Sequence, residues 1–463
     1  MQRENFKSRL GFLLLSAGCA IGIGNVWRFP YVVGQNGGGL FVLLYVFFLA
    51  TVGVPVLTME FAIGRASRKS CIRAYQELAP KGSWWHIHGK LGMLGNYTIM
   101  AFYTSVAGWM LYYFYRFLTG ELVGMGTEQV AGAFGGMLAQ PATMAFWMVV
   151  IVLVGFLVCS LGLQKGVERI TKWMMMALMA IMVVLAINSV FLPGGTEGVR
   201  FYLVPNLNEI VGATTGETFK NVLSILSAAI NQSFFTLSLG IGSMLIFGSY
   251  LNRDRSLLGE SINIAILDTF VAFVSGLIIF PACMAYNVPV DSGPPLIFIT
   301  LPNVFNNMPW GRLWGSLFFL FMSFAAFSTV IAVFENILAC CMDLYGWNRK
   351  KASVINFFFV VAISLPCVLG FNVLSGFQPR GPGSCVLDLE DFIVSNVLLP
   401  GGSLIYLLFC VSRVGWGFKK YQAEANEGKG PKIPNWIRGY MTYVLPILVG
   451  ILFIQGILGW KVG

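Results

Sequence analysis

One carboxylate lies deep inside an apolar run: Asp268, preceded by AIL and followed by TFVAFV. An ionisable group in such a setting costs several kcal/mol unless it is paired, so it is a functional candidate by default. A second polar island is SAGCAIGIGNVWRFP, residues 16–30, where Gly18, Gly22, Gly24, Asn25 and Arg28 interrupt a hydrophobic segment. A third is Ser328-Thr329 within SFAAFSTVIAVFE (323–335), which also carries Glu335; Glu60 is a further acid in an apolar stretch. The Ser-Thr pair could equally back-bond within its own helix. Oxygen-rich groups without thiolate ligands favour hard cations. Where a helix is unwound, freed N–H groups attract a carboxylate and freed carbonyls attract cations. The chemistry these residues can do is therefore the holding of small cations and a zwitterion. Neither H-E-x-x-H nor G-x-S-x-G occurs, and no nucleophile–base pair points to an enzyme.

The elements that must position these groups are membrane helices. Of 463 residues, 57% are hydrophobic and 11% charged, with a mean hydropathy of +0.75. A soluble protein of this size needs more polar surface than that. Eleven runs are long enough to cross a bilayer: 10–30, 39–64, 91–118, 143–163, 169–192, 219–249, 257–287, 312–344, 351–371, 388–412 and 437–460. The expected class is an all-α polytopic membrane protein. With the N-terminus inside, the cytoplasmic segments hold 23 of the 30 Lys and Arg residues. The positive-inside rule then places the N-terminus in the cytoplasm and the C-terminus outside a cell inner (plasma) membrane. The net charge of +10 is thus a topology signal and gives no reason to expect nucleic acid. No cleavable leader is expected, because the first apolar run lacks an A-x-A-like exit and continues into Arg28-Phe29-Pro30.

The nine cysteines fall almost entirely within apolar spans, which argues against a disulfide framework. His86 and His88 stand together without nearby cysteine and read as part of a solvated cytoplasmic loop, not a metal site. The sequons beginning at Asn96 and Asn231 lie within spans, where glycosylation is not expected.

The chain reads as one domain, 1–463, with a weak internal echo. AIGIGN (20–25) in the first span is matched by SLGIGS (238–243) in the sixth. Five spans separate them, as in two five-helix repeats of inverted orientation, about 10–192 and 219–412, followed by an extra helix at 437–460. Glycines also serve plain helix packing. Here they sit among Asn25, Thr236 and Ser238, and unwound backbone at membrane depth is tolerated only where it lines a cavity. Paired interruptions of this kind point to a transporter site at the midplane. A dinucleotide fingerprint is excluded, since Trp27 stands where the third glycine belongs and no strand precedes it.

RLGFLLLSAGCAIGIGNVWRFPYVVGQNGGGLF (9–41), GVPVLTMEFAIGR (53–65), KGVER (165–169), NQSFFTLSLGIG (231–242) and SFAAFSTVIAVFE (323–335) resemble the neurotransmitter:sodium symporter family, whose bacterial members share the LeuT fold. The resemblance implies that the eleven transmembrane helices counted above form the LeuT fold, a 5+5 inverted repeat with helices 1 and 6 unwound at mid-membrane. It implies two sodium ions. The first would meet Asn25, Thr236, Asp268, the Ala20 carbonyl and the substrate carboxylate. The second would meet carbonyls of Gly18, Ile21 and Ala325 together with Ser328 and Thr329. The substrate carboxylate would face the amides of Gly22, Ile23 and Gly24 and the Tyr103 hydroxyl. Its amine would face carbonyls of Ala20, Phe235 and Thr236 and the Ser238 hydroxyl. Its side chain would lie against Ile99, Tyr103, Phe235, Ser238, Ile241, Thr329 and Val333.

The resemblance also implies gates: Arg28 with Asp391, assisted by Gln232, on the outer side, and Arg3 with Asp343, near Tyr250, on the inner side. Carriers of monoamines in this family place an aspartate at the Gly22 position, so glycine there implies an amino acid substrate, and the uncharged pocket implies a hydrophobic one. Asp268 replaces a neutral residue of chloride-dependent relatives, and Ala272 replaces their serine, so chloride should be dispensable. A buried carboxylate left without its cation tends to take a proton, which raises proton counter-transport on the return step. Two departures stand out: Met176 occupies the place of a helix-5 proline associated with inward release, and eleven spans replace the usual twelve, which leaves the oligomeric state open. The expected activity is sodium-coupled amino acid import by alternating access. The alternative is a membrane sensor of the same fold that binds substrate without transporting it.

Overall fold

The computed structural model describes residues 5–207, 211, 214–286 and 294–458, and no strand forms among them. Eight helices are long and apolar enough to cross a membrane: Gly39–Ser67 (span 2), Pro141–Ser160 (span 4), Leu163–Val190 (span 5), Leu257–Ala285 (span 7), Gly311–Tyr345 (span 8), Arg349–Leu369 (span 9), Val386–Val411 (span 10) and Asn435–Leu458 (span 11). The bent pair Arg9–Ala20 and Gly24–Gln35 makes a ninth, span 1. The two other expected spans are the 34-residue helix His86–Thr119 (span 3) and the pair Thr215–Thr236 and Ser243–Ser249 (span 6). Span 3 is diluted by glycine, tyrosine and asparagine, and the first half of span 6 by threonine, serine and charged residues, so neither is as apolar as the others.

Span 8 is the most enclosed, with 78% of its most apolar window buried against 28% for span 11. Ser328 and Thr329 are therefore in the centre of the molecule. Span 3 packs along span 8, and the second half of span 6 packs along span 2.

Local chemistry explains the irregularities that shape the centre. Six π-helical turns occur among the described residues. Five of them end one residue before an X-Pro step: Gly24–Arg28 before Phe29-Pro30, Leu49–Gly53 before Val54-Pro55, Leu296–Thr300 before Leu301-Pro302, Ile393–Leu398 before Leu399-Pro400, and Tyr440–Val444 before Leu445-Pro446. Proline has no N–H to give, and its ring presses on the carbonyl four residues back, so the preceding turn widens. The sixth, Leu163–Glu168 at the start of span 5, has no such proline. Span 5 then runs unbroken through Met176 to Val190.

Both expected breaks are present. Span 1 bends by 56° between its halves, where Ile21 leaves the helix with extended backbone. Span 6 is interrupted over 237–242, where Ser238, Gly240 and Gly242 have φ of 51°, 100° and 80°. Gly240 needs its missing side chain twice over: its backbone is left-handed, and a Cβ there would collide with the Leu399 carbonyl.

One expectation is corrected. His88 does not lie in a solvated loop: it is buried in the first turn of span 3, with Nδ1 2.7 Å from the Tyr75 hydroxyl and its ring edge-on to Tyr406. The helix begins at His86, earlier than hydropathy suggests, because Tyr75 from the short helix Cys71–Leu78 supplies a partner that local sequence does not reveal. His86 is exposed, as expected.

Candidate functional site

The breaks of spans 1 and 6, with parts of spans 3, 8 and 10, line one cavity of about 420 Å³. The π-helical turns Gly24–Arg28 and Ile393–Leu398 both contribute to its wall.

Beside the cavity, Asn25, Thr236 and Asp268 form a closed triangle of buried groups. Asn25 Nδ2 donates to Asp268 Oδ1 at 2.8 Å and to Thr236 Oγ1 at 3.2 Å, and Thr236 Oγ1 donates to Asp268 Oδ2 at 2.7 Å. The Tyr45 hydroxyl adds a bond to Asp268 Oδ2 at 3.3 Å. Ala20 lines the adjoining wall. Four residues from spans 1, 2, 6 and 7 thus satisfy one another around a single carboxylate, and an amide nitrogen stands where a cation could sit between oxygens.

A second oxygen cluster lies where the first half of span 1 ends. The Gly18 carbonyl accepts from Ser328 Oγ at 2.9 Å and from Thr329 Oγ1 at 3.2 Å. The Ile21 carbonyl lies 3.5 Å from Thr329 Oγ1, and the Ala325 carbonyl accepts from Ser328 Oγ at 2.9 Å. The five expected oxygens of the second set are thus linked to one another through the Ser328 and Thr329 hydroxyls. Every donor atom is oxygen and none is charged, a set suited to a hard monovalent cation.

The groups expected to face a substrate carboxylate also lie together. Ile23 N–H donates to the Tyr103 hydroxyl at 3.1 Å, and Gly22 N–H donates to Asn25 Oδ1 at 3.3 Å. Gly22 is required by close approach: a Cβ there would lie 2.6 Å from the Tyr103 hydroxyl oxygen and 2.9 Å from Thr329 Oγ1. Ala20, Gly22, Ile23, Gly24, Ile99, Tyr103, Phe235, Thr236, Ser238 and Thr329 all line the cavity. Ile241 and Val333 do not: both are buried behind its wall, and the Ile241 side chain faces Gly95 of span 3 instead. Phe102, Val106 and Leu399 add to the apolar surface.

The expected outer gate is apart. Arg28 and Asp391 both line the cavity, yet no ion pair joins them; the Arg28 guanidinium carbon lies 4.2 Å from the Phe235 ring centroid, and Asp391 Oδ1 accepts from Ser395 Oγ at 2.9 Å. Gln232 is buried, and neither end of its amide has a hydrogen-bond partner. At the other end of the molecule, Tyr250 donates to Glu335 Oε1 at 2.8 Å, and Glu335 is paired with Arg349 at 2.6 Å. Asp343 Oδ2 accepts from Ser70 N–H at 2.7 Å, while Arg3 lies outside the described residues.

Sequence reasoning passed over Tyr45, Asn96 and Glu168. Tyr45 looks like any aromatic in a span, and only the fold brings it to Asp268. Glu168 lay within a quoted motif but had no visible partner; it accepts from Lys7 N–H, Ser8 N–H and Ser8 Oγ at 2.8, 3.0 and 2.9 Å.

Two broken membrane helices, oxygen clusters at both breaks and a cavity with polar and apolar walls define a membrane transporter of the LeuT fold. The model of the sodium:neurotransmitter symporter family matches residues 3–130 and 129–462, and the chain belongs to that family. It is 32% identical over 450 residues to the uncharacterized sodium-dependent transporter YhdH of Bacillus subtilis, covering 97% of this chain and 96% of that one. It is 30% identical to an uncharacterized sodium-dependent transporter of Haemophilus influenzae, covering 98% of each. Among solved structures, the crystal structure of MhsT in complex with L-phenylalanine superposes with a TM-score of 0.86 at 34% identity, covering 98% of this chain and 100% of MhsT. The protein is a multi-pass, sodium-dependent transporter of a small molecule and not an enzyme.

Proposed function

We propose that the protein imports hydrophobic L-amino acids together with sodium, by alternating access and without chloride. The observation that carries this is the double use of one helix break. The backbone freed at 18–24 turns carbonyls toward Ser328 and Thr329 and turns N–H groups toward Tyr103 and the cavity. A zwitterion whose carboxylate joins the Asn25–Thr236–Asp268 group would link its own affinity to that of a cation, and such linkage is reciprocal. Its amine would face the carbonyls near Ala20 and Thr236, and its side chain would contact Ile99, Phe102, Val106 and Phe235. Two sodium ions are assigned, one to each oxygen cluster. The co-crystallised L-phenylalanine of MhsT supports an amino acid as substrate.

In this assignment Asp268 supplies the fixed negative charge that makes chloride dispensable. The Arg28–Asp391 pair closes only when substrate is enclosed. The N-terminus is cytoplasmic, and the two repeats span about 10–192 and 219–412.

The test is thermal stability of the purified protein against all twenty amino acids, in sodium and in potassium, without chloride, followed by uptake into vesicles under a sodium gradient. A saturating ligand at a hundredfold excess over Kd adds about 2.7 kcal/mol of stability. Stabilisation by aliphatic or aromatic amino acids only in sodium, with sodium-driven uptake, is the expected result. Stabilisation indifferent to sodium would remove the coupling, and binding without uptake would favour a sensor.

A further inference from the structure

Asn96 sits on the same face of span 3 as Tyr103, is fully buried, and uses its amide completely. Nδ2 donates to the Ile241 carbonyl at 2.8 Å and to the Gly92 carbonyl at 2.7 Å. Oδ1 accepts from Ser243 Oγ at 3.1 Å and from Asn336 Nδ2 of span 8 at 2.9 Å. An amide has two donors and two acceptor lone pairs, so all four positions are filled. Ile241 and Ser243 flank Gly242, the left-handed residue from which the second half of span 6 starts. Two of the four bonds therefore meet where the unwound segment becomes helix again, and a third joins the same side chain to span 8.

The opposite side of that segment is held differently. Gly240 N–H donates to Glu60 Oε1 of span 2 at 2.5 Å. Span 2 packs along the second half of span 6, and span 3 packs along span 8. The Asn96 bonds cross between these two packed pairs, whereas the Glu60 bond stays within one. Ser238 and Thr236, which line the cavity, lie in the stretch of chain just before the Asn96 attachment.

We propose that Asn96 is a positioning residue for the substrate site: it ties the start of the second half of span 6, at 241–243 behind the cavity wall, to spans 3 and 8 and so fixes where Thr236 and Ser238 meet the ligand. It touches no substrate itself, because it does not line the cavity. The inference rests on the proposed amino acid site. Removing the amide leaves the Ile241 carbonyl and the Ser243 hydroxyl without their buried partner, and an orphaned pair of this kind is not replaced by water at this depth.

The experiment compares wild type, Asn96→Ala, Ser243→Ala and the double variant for amino acid Kd in saturating sodium and for ligand-free thermal midpoint. Expected are about tenfold weaker binding for Asn96→Ala, a smaller loss for Ser243→Ala, and a double variant no worse than Asn96→Ala, since contacting residues couple. A merely structural residue would lower the thermal midpoint while the protein that remains folded kept its Kd, and that result overturns the proposal. If Asn96→Ala does not fold, Ser243→Ala decides: an unchanged Kd there counts against the tie. Wild type that binds no amino acid in sodium overturns the site assignment, and the inference with it; wild type that binds normally beside unaltered variants overturns the inference alone.

Discussion

Asn25 presents its amide nitrogen to Asp268, Nδ2 to Oδ1 at 2.8 Å, while its amide oxygen accepts from Gly22 N–H. In the proposed assignment a cation held between these residues needs oxygen from Asn25, so the amide would turn over when sodium binds. Turning it over removes the acceptor from Gly22 N–H, which lies on the cavity wall and then becomes available to a carboxylate. One rotation thus connects the proposed cation to the proposed substrate. Asp268→Asn removes the charge that makes the exchange favourable and is expected to weaken sodium-dependent amino acid binding by at least about 100-fold, about 2.7 kcal/mol. Adding Ala272→Ser builds the neutral-residue-plus-serine pattern of chloride-dependent relatives, and chloride should then restore part of the binding. Calorimetry in sodium with chloride or gluconate reads both effects; undiminished binding by Asp268→Asn would remove this carboxylate from the site.

Gly22 has a narrower prediction. A methyl group there meets the Tyr103 hydroxyl at 2.6 Å and Thr329 Oγ1 at 2.9 Å, both on facing helices. Gly22→Ala should abolish amino acid stabilisation while leaving the ligand-free thermal midpoint within a few degrees. Gly22→Ala with Tyr103→Phe clears the nearer contact and should regain only part of the binding, because the hydroxyl is also a proposed carboxylate partner. Full binding by Gly22→Ala would show that the cavity accommodates more than its geometry allows.

Arg28 rests on Phe235, and Asp391 on Ser395, with no ion pair between them. A pair that is absent here can contribute only to another state of the cycle. Asp391→Asn keeps an acceptor for Ser395 and breaks no ion pair, so ligand-free stability is expected to change by less than about 1 kcal/mol. Uptake under a sodium gradient should nevertheless fall by about tenfold, the effect of losing one charge-assisted bond in the closed state. Equal uptake by variant and wild type would make the two charges bystanders.

These groups differ in how openly the sequence displays them. The breaks in spans 1 and 6 are legible because AIGIGN and SLGIGS concentrate glycine where an uninterrupted apolar helix is otherwise expected. Asp268, Ser328 and Thr329 are legible because polarity in lipid is costly and therefore conspicuous. What brings them together is not local: Asn25 and Asp268 are 243 residues apart, and their meeting was anticipated only through the family pattern. Tyr45 and Asn96 escape notice for the opposite reason: each belongs to a type that is common in spans and gains meaning from a partner on another helix. His88 is conspicuous but misplaced, because its partner Tyr75 lies on another helix. Ile241 shows the converse limit, since its place in the motif is right but its side chain turns toward Gly95 and away from the cavity.

Glu168 offers a last test, at the start of span 1. Its carboxylate accepts from Lys7 N–H, Ser8 N–H and Ser8 Oγ, and Ser8 also caps the helix through Gly11 N–H at 3.0 Å. Arg9, the first helical residue, pairs with Glu260 of span 7 at 3.0 Å, and Phe6 packs edge-on against Tyr250. The entry of span 1 is thus pinned by spans 5 and 7 together. Because span 5 is unbroken at Met176, opening on this side has no proline-weakened turn to begin from at that point. In the proposed cycle, release of the Glu168 tie is one local event that would free this end of span 1. Glu168→Gln keeps the size of the side chain but turns an N–H₂ group toward donors that need an acceptor, and it removes the charge from the bonds that remain. Charge-assisted bonds are worth about 1.5–3 kcal/mol, so amide exchange over residues 5–11 should accelerate by roughly ten- to a hundredfold. Span 8, which has no part in the tie, should exchange as in wild type. Unchanged protection at 5–11 would mean that Arg9 and Phe6 suffice to hold the segment, and that Glu168 does not control how span 1 opens.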